Sequence, residues 1–187
     1  MDQRTYVERA RQGDRDAFAE LVRAAAARLD AAARLILRDS ELARDAVQEA
    51  LIRAWRDLPG LRDPESFDGW LHRLLVNASI DMARRRQRRV IEVRADPIDV
   101  PSPHDQFALL ADRDALDRAL GELKPEHRAL VVLHYYLGMP LPDVAAELRI
   151  PLGTAKSRLH RSLGVMRATL AEADPREPAP LVGGQLA

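Results

Sequence analysis

The apolar residues of this 187-residue chain recur only at helical spacing, and that feature alone excludes a sheet. Phe18, Leu21, Val22, Leu29 and Leu35 fall along a helix for which Asp14 supplies the N-cap. A second stripe, Ala43, Val47, Ala50, Leu51, Ala54 and Leu58, follows Ser40, which reads as the next cap. Asp63, Pro64 and Glu65 then combine a cap, a pre-set φ and an acid at the positive end of the helix dipole. The helix they open buries Phe67, Leu71, Leu74, Leu75, Ala78 and Met82 and runs into Arg84, Arg85, Arg86, Arg88 and Arg89. Composition agrees, because Ala, Leu and Arg dominate while aromatic residues are 4%. The fold class is all-α.

Proline sets the boundaries. Pro97, Pro101 and Pro103 sit in an Asp- and Ser-containing stretch, Ala95 to Asp105, that reads as a linker. The expected division is a front helical domain over 1–92, a flexible linker over 93–112 and a second small helical domain over 113–172. A disordered tail over 173–187 carries Pro175, Pro178 and Pro180. Within the rear domain Ala115–Leu123 and Pro125–Leu137 are helical, and Gly138, Pro140 and Pro142 interrupt. A short helix, Asp143–Leu148, meets a longer one, Gly153–Leu170, across the turn Arg149, Ile150, Pro151. Such a pair is a helix-turn-helix, whose second helix lies in a DNA major groove. That helix has two faces: Ala155, Leu159, Leu163, Met166 and Leu170 are buried, while Gly153, Lys156, Ser157, His160, Arg161 and Gly164 project outward.

Several function classes fall away. With no cysteine there is no disulfide scaffold, Cys-based zinc site or thiol nucleophile, and the five histidines are scattered, so neither a metal nor a cofactor is expected. No Gly-rich phosphate loop or G-x-S-x-G elbow occurs. Asp45 and Glu49, at i,i+4, form the one tempting carboxylate pair and lack the further acids a metal-dependent hydrolase needs. The chain reads as a non-enzyme. It lacks an apolar run of the ~20 residues that span a bilayer, and its start has no signal-peptide layout, so a cytoplasmic protein without membrane insertion is expected. A formal net charge of zero hides two mildly basic blocks separated by an acidic segment. Local clusters decide nucleic-acid binding, so neutrality does not argue against it.

Three surfaces carry candidate chemistry. On the Ser40–Leu58 helix, Asp45, Gln48, Glu49 and Arg56 surround Ile52. They fit either a solvated face with one stray apolar residue or a docking surface with Ile52 as anchor. On the helix after Pro64, Trp70, Asn77, Asp81, Arg84 and Arg88 share a stripe. It is either a core edge with a solvated basic end, or a surface that stacks, hydrogen-bonds and neutralises unstacked DNA. On the last helix, Lys156 and Arg161 can bond guanine or phosphate, and Ser157 either base or phosphate. Gly153 and Thr154 let backbone N–H groups approach a phosphate, and Arg158, further round, reaches phosphate or a protein.

Asp45-Ala-Val-Gln-Glu-Ala-Leu-Ile-Arg-Ala-Trp55, Phe67-Asp-Gly-Trp-Leu71, Asn77, Asp81 and the arginine cluster resemble region 2 of bacterial sigma factors. Leu123-Lys-Pro-Glu-His-Arg128 and Gly153-Thr-Ala-Lys-Ser-Arg-Leu-His-Arg161 resemble region 4. The two-domain chain, with no region 3, resembles an extracytoplasmic-function (ECF) sigma factor. The resemblance implies a specificity subunit that binds core RNA polymerase at the β′ clamp coiled coil through Asp45, Gln48, Glu49, Ile52 and Arg56, with the β flap as a second contact. It implies that Arg62, Trp70, Asn77, Arg84, Arg85 and Arg88 hold the melted −10 element. Gly153, Thr154, Lys156, Ser157, Arg158, His160 and Arg161 then read the −35 element. An anti-sigma factor is an implied partner beside polymerase and promoter DNA. The runner-up is a helix-turn-helix regulator that binds duplex without polymerase.

Overall fold

The computed structural model describes the backbone of residues 2–92 and 109–173 and the side chains of 2–88 and 114–171. Residues 93–108 of the expected 93–112 linker and residues 174–187 of the expected 173–187 tail lie outside these residues. Among the described residues every regular element is helical. The front block is α1 (Gln3–Arg11), α2 (Arg15–Leu37), α3 (Ser40–Asp57) and α4 (Phe67–Glu92). The rear block is α5 (Leu109–Gly121), α6 (Pro125–Val131), α7 (Leu141–Glu147) and α8 (Leu152–Ala173). Helix α5 therefore begins inside the stretch assigned to the linker.

The front core forms where α2, α3 and α4 meet, with α1 against α2. Leu29 and Ile36 of α2 are fully buried, as are Phe67, Leu71 and Leu75 of α4. Burying each such side chain contributes about 1.5–3 kcal/mol. Helix α3 presents only alanines inward: Ala43, Ala46, Ala50 and Ala54 are each 0% exposed. Small side chains there let α3 lie close to its neighbours, and they correct the expected stripe. Val47 and Leu51 are half-buried at the edge of the core rather than within it.

The ends of the helices also differ in detail. Asp14 caps α2 as expected, accepting from the N–H groups of Asp16 and Ala17. For α3 the cap is Asp39, not Ser40; its carboxylate accepts from Glu41 and Leu42 N–H, leaving Ser40 as the first helical residue. Asp63 caps a short 3-10 turn, Pro64–Ser66, that leads into α4. In the rear block α6 does not continue to Leu137; from Val132 to Tyr136 it widens into a π-helical turn that ends at Gly138, where φ is +71°. After α7 the chain reverses through Arg149 at φ +53°, with Ile150 N–H on Ala145 O and Arg149 N–H on Ala146 O. This is a Schellman closure with arginine in the left-handed position that glycine usually fills. It aims α8 away from α7 and completes the helix-turn-helix.

The two blocks touch. Helices α2 and α4 pack on α6, Arg28 Nη2 donates to Leu137 O at 3.3 Å, and Arg38 pairs with Asp117 at 3.1 Å.

His72 of α4 is buried beside this seam. Desolvation, then the nearby Arg28, holds its pKa below 6.5, with Asp68 pulling weakly the other way. The unfolded chain thus takes up a proton that the folded one resists, so stability is complete above pH 6.5 and declines as pH falls below it. The expected slope is at most about 1.4 kcal/mol per pH unit. Urea melts at pH 7.5 and 5.5 should show the loss, smaller in His72→Leu; His127, shifted the same way, supplies a remainder. An equal loss in the variant would remove His72 as the cause.

Candidate polymerase and DNA surfaces

The outward face of α3 forms the first surface. Asp45, Gln48 and Arg56 are exposed, Glu49 is half-buried, and Ile52 is 55% exposed. Beside Ile52 opens a groove of about 500 Å³ walled by Phe18, Val47, Leu51 and Trp55, with Asp30, Arg44 and Gln48 at its rim. The Phe18 and Trp55 rings lie 5.0 Å apart. Ile52 is therefore part of an apolar depression with a polar edge rather than an isolated residue. Glu49 accepts from Arg53 Nε at 2.7 Å, and Arg56 Nε donates to Asp57 at 2.7 Å, so these two polar groups are held in place.

Helix α4 carries the second surface. Trp70 is half-buried, its ring 6.0 Å from that of Phe67, so part of it belongs to the core. Asn77, Arg84, Arg85 and Arg88 are exposed, as is Arg62 in the loop before α4. Two of these have partners from the rear block: Asn77 Nδ2 donates to Glu147 at 2.7 Å and Arg84 Nε to Glu126 at 3.3 Å. Arg86, from the same basic run, instead binds the free oxygen of the Asp39 cap at 2.8 Å and braces α4 against α3.

On α8, Ala155, Leu159 and Met166 are buried as the spacing requires, and the buried Ser162 hydroxyl donates to Arg158 O at 2.8 Å. Gly153, Lys156, Ser157, His160 and Arg161 are exposed, while Thr154 and Arg158 are half-buried. Ser157 Oγ donates to Thr154 O at 3.0 Å, which leaves its lone pairs outward. His127 at the start of α6 lies near this helix; desolvation first, then Arg158, lowers its pKa.

Residues 16–89 match the family model for Sigma-70 region 2, and residues 113–164 that for Sigma-70, region 4. Over 159 residues, 85% of this chain and 78% of the relative, the sequence is 38% identical to the ECF RNA polymerase sigma factor SigM of Mycobacterium tuberculosis. The chain belongs to the ECF RNA polymerase sigma factors. It is also 38% identical to SigE of Mycolicibacterium smegmatis, but spans only 61% of that relative's length. Among solved structures it is similar to the sigma factor RpoE of Bartonella quintana, in complex with the anti-sigma factor NepR. There the TM-score is 0.71 and identity 26%, covering 82% of this chain and 96% of that one.

In this sigma factor the region 2 match contains α2 from Asp16 onward and all of α3, and the region 4 match contains α8 as far as Gly164. Spacing placed Asp45, Gln48, Glu49, Ile52 and Arg56 on one helix, and all five lie on α3. It missed the groove, because Phe18 belongs to a different helix and its meeting with Trp55 is tertiary. The one available signal was Trp55 itself, three residues from Ile52 on a half-polar face. Spacing also missed that Asn77 and Arg84 face the rear block.

Proposed function

We propose that this chain is the promoter-specificity subunit of RNA polymerase, a non-enzymatic initiation factor working in the cytoplasm. It docks on the β′ clamp coiled coil through Asp45, Gln48, Glu49, Ile52 and Arg56, and its rear block adds a contact to the β flap. Arg62, Trp70, Asn77, Arg84, Arg85 and Arg88 hold the melted −10 strand. The α8 residues Gly153, Thr154, Lys156, Ser157, Arg158, His160 and Arg161 meet the −35 duplex. The observation that carries this reading is the exposed Ile52 at the apolar groove, in the same chain as a helix-turn-helix. A duplex-binding regulator acting without polymerase leaves that groove without a use. Because RpoE, a similar sigma factor, forms a complex with NepR, an anti-sigma partner is part of the proposal. Run-off transcription with core polymerase on a genomic promoter pool tests it: specific initiation is expected, and none at all would refute it.

Upstream reading should be separable from −10 reading. Lys156 and Arg161 are exposed on α8, where a groove-bound helix meets base edges. Loss of one bidentate base contact costs about 1–3 kcal/mol and relaxes preference at that position, whereas loss of a phosphate contact weakens all sequences alike. At least one of Lys156→Ala and Arg161→Ala should alter the −35 preference with the −10 preference intact. Selection from libraries randomised at each element gives the answer, and unchanged −35 preferences for substitutions at Lys156, Ser157, His160 and Arg161 would show that α8 does not read sequence.

A further inference from the structure

Helix α1 grips the loop that carries Arg62. Between α3 and α4 the chain makes two 3-10 turns, Leu58–Gly60 and Pro64–Ser66, and Arg62 is exposed between them. The hydrogen bonds inside this loop are short-range. Leu61 N–H donates to Leu58 O at 3.0 Å, and the N–H and hydroxyl of Ser66 both donate to Asp63 O. Such turns have poorer hydrogen-bond geometry than an α-helix, so the loop depends on what packs against it. Leu58 and Leu61 anchor it in the core.

The remaining support comes from α1, which packs on both turns as well as on α2, with Val7 and Ala10 buried. In its first turn Gln3 Nε2 donates to Asp68 Oδ1 at 2.6 Å. That bond ties α1 to the first turn of α4, two residues before Trp70. Beside it lies a cavity of about 370 Å³ walled by Tyr6, Leu21, Ala25 and His72. Apolar packing therefore does not close this end of α1 onto the domain, and the amide–carboxylate bond spans the gap. The turn that holds Gln3 is itself fixed, because the Asp2 carboxylate caps α1 by accepting from Thr5 N–H at 3.0 Å. Arg4 pairs with Glu8 at 3.0 Å and also lies in the field of Glu65 in the second 3-10 turn.

We propose that α1 is a brace for the −10 surface and that Gln3 is its positioning residue, setting Arg62 and Trp70 in place before the strand arrives. This rests on the proposed role of those two residues. Helix α1 ends at Arg11, before the region 2 match begins at residue 16, so the brace acts on the matched domain from outside it. A loop fixed beforehand gives up less conformational freedom on binding, which lowers the cost of taking up the strand.

The test uses the holoenzyme on a duplex promoter recovered from the run-off pool. Gln3→Ala, at an exposed position, should slow open-complex formation about threefold to tenfold, the range of one net hydrogen bond, with polymerase binding unchanged. Gln3→Glu sets a second carboxylate against Asp68 and should slow it at least as much. Adding Asp68→Asn to Gln3→Glu restores a donor and should recover most of the rate, which a general loss of stability would not allow. The decisive comparison uses a chain carrying Arg62→Ala and Trp70→Leu, the latter keeping an apolar side chain against Phe67. There Gln3→Ala should add nothing further, because residues that act through one another are not additive. Slowing of the same size in both backgrounds, no recovery with Asp68→Asn, or an unslowed Gln3→Ala holoenzyme overturns the brace alone. Undiminished open-complex formation with Arg62→Ala and Trp70→Leu overturns instead the role of the surface on which the brace rests.

Discussion

Replacing Ile52 with arginine is expected to abolish stable association with core polymerase while leaving the fold intact. Ile52 is outside the core, beside the Phe18–Trp55 groove, so its loss removes no internal packing. Surface substitutions of this kind change stability by no more than about 0.5 kcal/mol. At an interface the balance reverses. An apolar anchor at the centre of a docking patch is worth about 2 kcal/mol or more, and arginine there also buries a charge without a partner. Affinity should fall at least thirtyfold. Thermal melting and co-purification with core enzyme separate the two effects. An unweakened complex for Ile52→Arg combined with Glu49→Arg would place the polymerase contact elsewhere.

The next largest effect is expected at the α4 stripe. Asn77→Ala and Arg84→Ala should impair open-complex formation by the holoenzyme about tenfold to a hundredfold, with little change in polymerase binding. A base held by stacking or hydrogen bonding is worth about 1–3 kcal/mol. Both side chains are exposed apart from their contacts with Glu147 and Glu126, so the core does not depend on them. Permanganate footprinting on duplex and pre-melted templates distinguishes the roles: a defect confined to duplex assigns them to strand separation. Equal defects on both leave melting intact and assign them to holding the single strand.

The long helices were legible because one repeating pattern of apolar residues determines their type, their length and their buried face. Asp14 and the Lys156–Arg161 face could be placed from local spacing alone. Helix α1 escaped notice because few of its residues, Val7 and Ala10 above all, turn inward. The end of α7 was found, but its geometry was not, since Arg149 occupies a backbone conformation usually marked by glycine. Ser40 was taken for the cap of α3 because it and Asp39 are both good cappers, and only the hydrogen bonds choose between them. The seam between the blocks was not legible at all. Pairs such as Asn77 with Glu147 and Arg84 with Glu126 join residues far apart in sequence, and no periodicity marks them.

The four inward alanines of α3 couple the two sides of that helix. With Ala43, Ala46, Ala50 and Ala54 in full contact, its inner face is sized in single carbon atoms. A larger residue at any of them must lift the helix, and Gln48, Ile52 and Trp55 on the far side would move with it. Variation can therefore reach the groove directly, through the residues that line it, or indirectly through its hidden face. The second route displaces several contacts at once, so the inner face acts as a fixed datum against which the proposed docking surface is measured.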